Sequence, residues 1–225
     1  MEKIINALFP PKCEFCGSVG DVFCENCISN CLLLLNQHCI VCDKPSIDGM
    51  THKYCYKAGI PIQLLSVFVY GGNVRQCVRK SKYSSRLFMC LKRLSFEGIN
   101  LAYEWNYNLK DFIIVSIPVS KEREKLRGFN QVDVISKSFS KKFKLEIDNA
   151  LLKRIRDTKS QHSSSRKQRF KNVSNSFLSD LGVKGKKILL IDDISTTGAT
   201  FLEASKILYQ NGALEVRCFS LSKKL

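Results

Sequence analysis

The sequence predicts an α/β fold, a parallel sheet flanked by helices, preceded by a small cysteine-rich metal module. Three observations carry this reading. From about residue 61, short apolar runs alternate with amphipathic stretches, the pattern of strands joined by crossover helices. One of those runs delivers two adjacent aspartates to a loop of small hydroxyl residues and glycine at 192–200. Ahead of these, eight of the eleven cysteines fall within the first 55 residues. The expected division is 1–60 for the module and 61–225 for the α/β domain.

In the module, three Cys-x-x-Cys pairs stand in order, Cys13/Cys16, Cys24/Cys27 and Cys39/Cys42, and a fourth pair of equal spacing mixes its ligands, His52 and Cys55. Two intervening residues let both side chains of a pair face one ion, and two such knuckles complete the tetrahedral shell of Zn²⁺. The simplest arrangement is one zinc on Cys13, Cys16, Cys24 and Cys27 and a second on Cys39, Cys42, His52 and Cys55. Pairing between alternate knuckles, or a single occupied site, fits the same spacing. Shells of thiolate and imidazole leave no open position for water, so the expected role is structural. Cys31, Cys77, Cys90 and Cys218 stand outside the pattern and read as core residues. A module of about 55 residues buries too little apolar surface to fold alone, so metal would supply much of its folding free energy.

Composition narrows the class. The chain has 225 residues, with 36 Lys+Arg against 20 Asp+Glu and a formal charge of +16. No apolar run approaches a membrane span, and the first ten residues lack the basic start and long apolar stretch of a secretory signal. A cytoplasmic location is therefore expected, where thiols stay reduced and bind metal rather than pair as disulfides. The excess positive charge points to a polyanion, because each Lys or Arg beside a phosphate releases condensed counterions. Charge alone does not separate DNA from RNA or a phosphorylated metabolite.

Along the larger domain, residues 64–70 read as a strand and 73–94 as one helix, with Val74, Cys77, Val78, Leu87, Leu91 and Leu94 near helical spacing. Residues 112–117 are a continuous apolar run stopped by Pro118, as expected of a buried strand ending at a functional loop. Val132, Ile135, Phe139 and Phe143 mark the next helix. Residues 187–191 are a strand, 199–210 a helix stopped by Asn211-Gly212, and 216–221 a last strand. Ligands of such sheets sit at the carboxyl ends of the strands, which directs attention to the loops after 117 and 191.

The second loop carries the most chemistry. After the apolar run come Asp192 and Asp193, then Ile194, Ser195, Thr196, Thr197, Gly198, Ala199 and Thr200. Amides at the start of the following helix and four hydroxyls can cradle a phosphate, while Gly198 permits close backbone approach. The carboxylates repel a phosphate but suit the hydroxyls of a sugar phosphate, with or without Mg²⁺. The loop after Pro118 holds Lys121, Arg123, Lys125 and Arg127, and residues 153–171 hold eight Lys and Arg with one acid, Asp157. That basic stretch reads either as a lid that excludes water from a substrate or as a track for single-stranded DNA, with Phe170 or Tyr83 available for stacking. Lys80, Lys82 and Arg86 would extend a basic face.

The segment 188–200 resembles the phosphoribosyl-diphosphate signature of type I phosphoribosyltransferases. The run from Ser116-Ile117-Pro118 through Arg123 to Arg127-Gly128-Phe129-Asn130-Gln131 is similar to the ComF competence family. So are Arg154, Arg156, Asp157 and Thr158, followed by Gln161, Arg166, Arg169, Asn172 and Phe177, and so are the cysteine pairs, which match a double zinc ribbon. His52 departs from that family's usual Cys and keeps a zinc ligand. The resemblance implies a type I phosphoribosyltransferase-like domain in which Asp192 and Asp193 hold the ribose hydroxyls and residues 195–200 hold the 5′-phosphate. It implies that the loop of Pro118, Arg123 and Arg127 grips the diphosphate, with Mg²⁺ accompanying it. It further implies a cytoplasmic competence factor that binds phosphoribosyl diphosphate and single-stranded DNA, the latter through Arg154, Arg156, Arg166, Arg169 and Lys82, alongside other competence or recombination proteins. Two other functions fit the residues: an enzyme moving phosphoribose onto a nucleobase or amine, and a pure binding protein with a vestigial pocket.

Overall fold

A computed structural model of the chain describes residues 10–81, 85–119, 130–156 and 166–225. Four strands form one parallel sheet in the order β1 (Gln63–Val69), β6 (Glu215–Lys223), β5 (Lys187–Ser195), β2 (Phe112–Ser116). The helices among the described residues are α1 (Glu25–Ser29), α2 (Gly72–Lys80), α3 (Ser85–Glu104), α4 (Gln131–Phe143), α5 (Arg166–Val173) and α6 (Ala199–Gln210). A two-stranded antiparallel ribbon, β3 (Leu152–Arg154) with β4 (Phe177–Ser179), stands apart from the main sheet.

The central strands are apolar on both faces because helices cover both. Ile188, Leu189, Leu190 and Ile191 of β5 are completely buried, as a continuous apolar run in a parallel sheet requires. Helices α2, α3 and α4 share one core with Val74, Leu91, Leu94, Ile135 and Phe139. On the other face α6 and the ribbon share a second core with Leu151, Leu152, Phe177, Phe201 and Leu208. Asn130 starts α4 by accepting the Val132 amide at 3.2 Å, the N-cap interaction that satisfies an orphan donor.

Three sequence expectations change in detail. The helix expected over 73–94 is two helices. The Ser81 amide closes α2 on the Cys77 carbonyl at 3.0 Å, and its hydroxyl donates to the Val78 carbonyl at 3.2 Å. The Ser81 hydroxyl also accepts a hydrogen bond from the Gln131 side chain of α4, which anchors the end of α2. The strand expected over 187–191 runs on to Ser195, because β6 supplies partners for Asp192, Ile194 and Ser195 at Ser220, Ser222 and Lys223. The acid pair therefore lies in the last residues of a paired strand rather than in a loop beyond it. Third, α5 and the ribbon were not expected as elements. Both are short, and α5 buries no residue, so apolar periodicity does not reveal it.

The cysteine-rich residues wrap the β1 edge of the sheet. Leu33 forms an antiparallel bridge to Phe68, Leu34 donates to the Val67 carbonyl at 2.7 Å, and Val69 donates to the Leu32 carbonyl at 2.8 Å. Backbone pairing of this kind covers an edge that would otherwise expose unpaired amides. Cys13, Phe23, Cys27 and Cys31 then enter the core of α2 and α3, whereas Ile40 enters the core of α6. The two knuckle pairs thus straddle the sheet, one on each face.

Candidate functional site

Two groups of possible metal ligands are assembled, Cys13, Cys16, Cys24 and Cys27 in one and Cys39, Cys42, His52 and Cys55 in the other, each with its ligand atoms within 4.8 Å of one another. Adjacent knuckles are paired, not alternate ones. The Sγ atoms of Cys16 and Cys24 are 3.6 Å apart, close to the roughly 3.7 Å edge of a tetrahedron with Zn–S of about 2.3 Å. In the second group Cys42 Sγ lies 3.3 Å from His52 Nδ1, while His52 Nε2 lies 3.1 Å from the Pro45 carbonyl. That carbonyl fixes the ring so that Nδ1 faces the thiolates, the outer-shell arrangement of metal-binding histidines. Burial pushes the Cys42 thiol up, but the Lys44 amide, the His52 ring and the neighbouring thiols outweigh it and hold the thiol down at about 6. These residues fit zinc.

At the carboxyl end of the sheet, β5 places Asp192, Asp193 and Ser195 in succession, and the chain turns through Thr196 and Thr197 into α6. The Asp193 amide donates to Asp192 Oδ1 at 2.9 Å, and Ser222 Oγ donates to the Asp193 carbonyl at 3.2 Å. Asp193 is 7% exposed. Ser195 is 3% exposed, and its hydroxyl is one of the few buried polar groups among the described residues without a hydrogen-bond partner; such a group is what a ligand or water satisfies. Gly198 caps α6 with φ 73°, and the first-turn amides at Ala199, Thr200 and Phe201 are those that a helix leaves without intrahelical acceptors. All eight sequence-expected residues of this loop therefore meet at one strand end and one helix start.

Pro118 stands beside them. The Ile117 amide donates to the Ile191 carbonyl at 2.8 Å, which sets the end of β2 next to the acid pair. A small cavity there, about 120 Å³, is lined by Ser116, Pro118, Val119, Asn130, Asp133 and Asn149. Arg123 and Arg127 lie outside the described residues, as do Lys82 and Tyr83.

The basic residues gather on the α6 side. Arg154 lies over the Phe177 ring at 5.5 Å and donates to the Arg156 carbonyl at 3.2 Å. Arg166 begins α5 and donates to the Val41 carbonyl, while Arg169 is half-buried one turn along.

Sequence reasoning missed several residues near the acids. Burial pushes the Tyr70 phenol up and the Asp193 carboxylate adds to it, while Arg75 and Arg79 pull the other way. Tyr70 thus lies within electrostatic reach of Asp193 on one side and of Arg75 and Arg79 on the other. Lys223, 3% exposed, was also missed. The signal for Tyr70 was its position at the end of the first strand, ahead of Gly71-Gly72.

Comparison with known proteins agrees with this geometry. The phosphoribosyl transferase domain family matches residues 131–225, the span from α4 to β6 that contains the acid pair and hydroxyl loop. This part of the chain therefore has a phosphoribosyltransferase-type fold. The DNA utilization protein YhgH of Escherichia coli K12 is 31% identical over 166 residues, covering 72% of this chain and 73% of that protein. Competence protein F of Haemophilus influenzae is 27% identical over 218 residues, 95% of this chain and 85% of that protein. Competence protein ComFC of Streptococcus pneumoniae is 29% identical over 213 residues, 93% of this chain and 86% of that protein. The chain belongs to the ComF family. Among solved structures, glutamine phosphoribosylpyrophosphate amidotransferase from B. subtilis, complexed with ADP and GMP, aligns with a TM-score of 0.45 and 16% identity, over 65% of this chain and 30% of that one.

Proposed function

We propose that this protein binds phosphoribosyl diphosphate at the end of β5 and single-stranded DNA on its basic face, and that it serves DNA uptake in natural transformation from the cytoplasm. The observation that carries the first part is the acid pair of β5, Asp192 half-buried and Asp193 buried, running into a hydroxyl loop that ends at a helix start, with the Ser195 hydroxyl unpartnered among the described residues. Carboxylates suit the ribose hydroxyls, and the hydroxyls and amides of 195–201 suit the 5′-phosphate. The diphosphate falls to the loop after Pro118, with Mg²⁺ arriving on it. Zinc in the two cysteine-rich groups is structural.

The basic residues Arg154, Arg156, Arg166 and Arg169 supply the charge that a DNA strand needs, and the names of the relatives supply the setting. Competence or recombination proteins are the expected protein partners. No described helix is long and apolar enough to cross a membrane. A second reading is transfer of phosphoribose onto a nucleobase or amine, favoured by the match to a phosphoribosyl transferase domain. Isotope-labelled phosphoribosyl diphosphate incubated with DNA, nucleobases and cell extract separates the two. Retention without transfer supports the binding role, transferred label supports the enzyme, and no retention at all refutes both.

A further inference from the structure

We infer that the first knuckle of the second metal group, residues 39–43, is the positioning element of the hydroxyl loop, so that metal at Cys39, Cys42, His52 and Cys55 sets the loop's affinity for a sugar phosphate. This deepens the reading above and rests on its assignment of 195–200 to the 5′-phosphate.

Three contacts run from this one knuckle to the neighbourhood of the loop. Ile40, 4% exposed, lies so close to Gly198 that a Cβ added there would be 2.8 Å from Ile40 Cγ1 and 3.1 Å from the Ile40 carbonyl oxygen. The next residue, Val41, accepts a hydrogen bond from the Arg166 guanidinium at the start of the basic helix. Asp43 then accepts a 2.7 Å hydrogen bond from the Lys223 ammonium, and Lys223 is the register partner of Ser195.

The contacts are held by the metal turn itself. The Asp43 amide donates to the Cys39 carbonyl at 2.9 Å, the Cys39 amide donates to the Lys44 carbonyl at 2.9 Å, and Asp43 has φ 61°. A knuckle turn drawn shut by two ligands of one ion thus fixes where Ile40 and Asp43 stand. Lys223 resists separation as well, since a buried ammonium left without its carboxylate is strongly unfavourable. The first metal group has another job: Cys13 and Cys27 pack with Leu91 and Leu94 on the opposite face of the sheet. Ile40 and Asp43 are accordingly positioning residues, and the two metal groups are not equivalent.

The test uses the full chain in five forms: unaltered, Cys55→Ser, Cys16→Ser, Asp43→Asn and Lys223→Met. Asp43→Asn suits the positive φ and breaks the ion pair with every metal ligand in place. Zinc content is measured on each, then amide exchange over 198–202 without ligand, then ribose 5-phosphate binding by calorimetry. Exchange over 198–202 is expected to rise about tenfold or more in Cys55→Ser, Asp43→Asn and Lys223→Met, with ribose 5-phosphate weakened by a similar factor. Cys16→Ser should speed exchange in 10–31 and in α2 and α3 while leaving 198–202 as it was. Unchanged loop exchange in Asp43→Asn and Lys223→Met overturns the inference even if Cys55→Ser fails to fold, and so does equal acceleration by Cys16→Ser. Failure of the unaltered protein to bind ribose 5-phosphate refutes the phosphate assignment instead, and the exchange data still decide the coupling.

Discussion

Gly198→Ala is the sharpest probe of how the knuckle and the loop meet. The substitution has two separable costs. Gly198 has φ 73°, and an L-residue forced into that left-handed region loses roughly 1–2 kcal/mol. The new Cβ would also stand 2.8 Å from Ile40 Cγ1 and 3.1 Å from the Ile40 carbonyl oxygen. One of those neighbours is backbone held inside a metal turn, so relief by a side-chain rotation alone is blocked. Overpacking of this kind costs about 1–3 kcal/mol. Gly185→Ala is the matched control, because Gly185 has φ 74° and nothing within 4 Å of an added Cβ. Thermal unfolding at fixed total zinc, followed by circular dichroism, should place Gly185→Ala below the unaltered protein by the dihedral cost alone. Gly198→Ala should fall further by the contact cost; at roughly 2–4 °C per kcal/mol for a chain of this size, the gap should be at least ~2 °C. Ile40→Ala in the same chain should recover part of that gap as a favourable coupling in a double-mutant cycle. Equal melting points for the two glycine variants would refute the close approach and, with it, the argument that Ile40 shapes the loop.

Three further outcomes are expected. Asp192→Asn with Asp193→Asn should abolish phosphoribosyl diphosphate binding by calorimetry at unchanged circular dichroism; Asn is the right replacement because Asp193 is 7% exposed and Ala would leave a void, and retained affinity would sink the ribose assignment. Chelation should release protease sites in 10–60 first and then loosen α2 and α3, because Cys13, Phe23, Cys27 and Cys31 share their core; full resistance after zinc removal would show that metal contributes little to folding. Single-stranded DNA binding should weaken steeply with salt, and replacing Arg154, Arg156, Arg166 and Arg169 together by Ala should flatten the log–log slope by about 3, at ~0.7 per phosphate contact. A slope that stays the same would place the strand elsewhere.

Much of the candidate site was legible because its residues are local in the chain. Asp192 to Thr200 are contiguous, so one strand and one helix start bring them together whatever the rest of the chain does. Cysteine spacing likewise dictates knuckles, since two intervening residues close one turn around one ion. What escaped was set by distant partners. The sequence around Ser81 carries helical periodicity, yet α2 closes there, where Gln131, 50 positions on, donates to the Ser81 hydroxyl. The extension of β5 to Ser195 depends on how far β6 runs beside it, and β6 reaches Lys223. Nothing in the local sequence around Lys223 announces that it will be buried against Asp43, because the two are 180 positions apart.

The sequence by itself determined the composition of the candidate site and of the two groups of possible metal ligands, through short-range spacing and the period of apolar residues. Only the tertiary structure decided that adjacent knuckles pair, that the two groups take opposite faces of the sheet, and that one of them leans on Gly198. The reason is physical: knuckle turns and helix starts are fixed by bonds a few residues long. Which face a turn packs against is fixed by burial and by backbone pairing along the β1 edge, which no local pattern encodes.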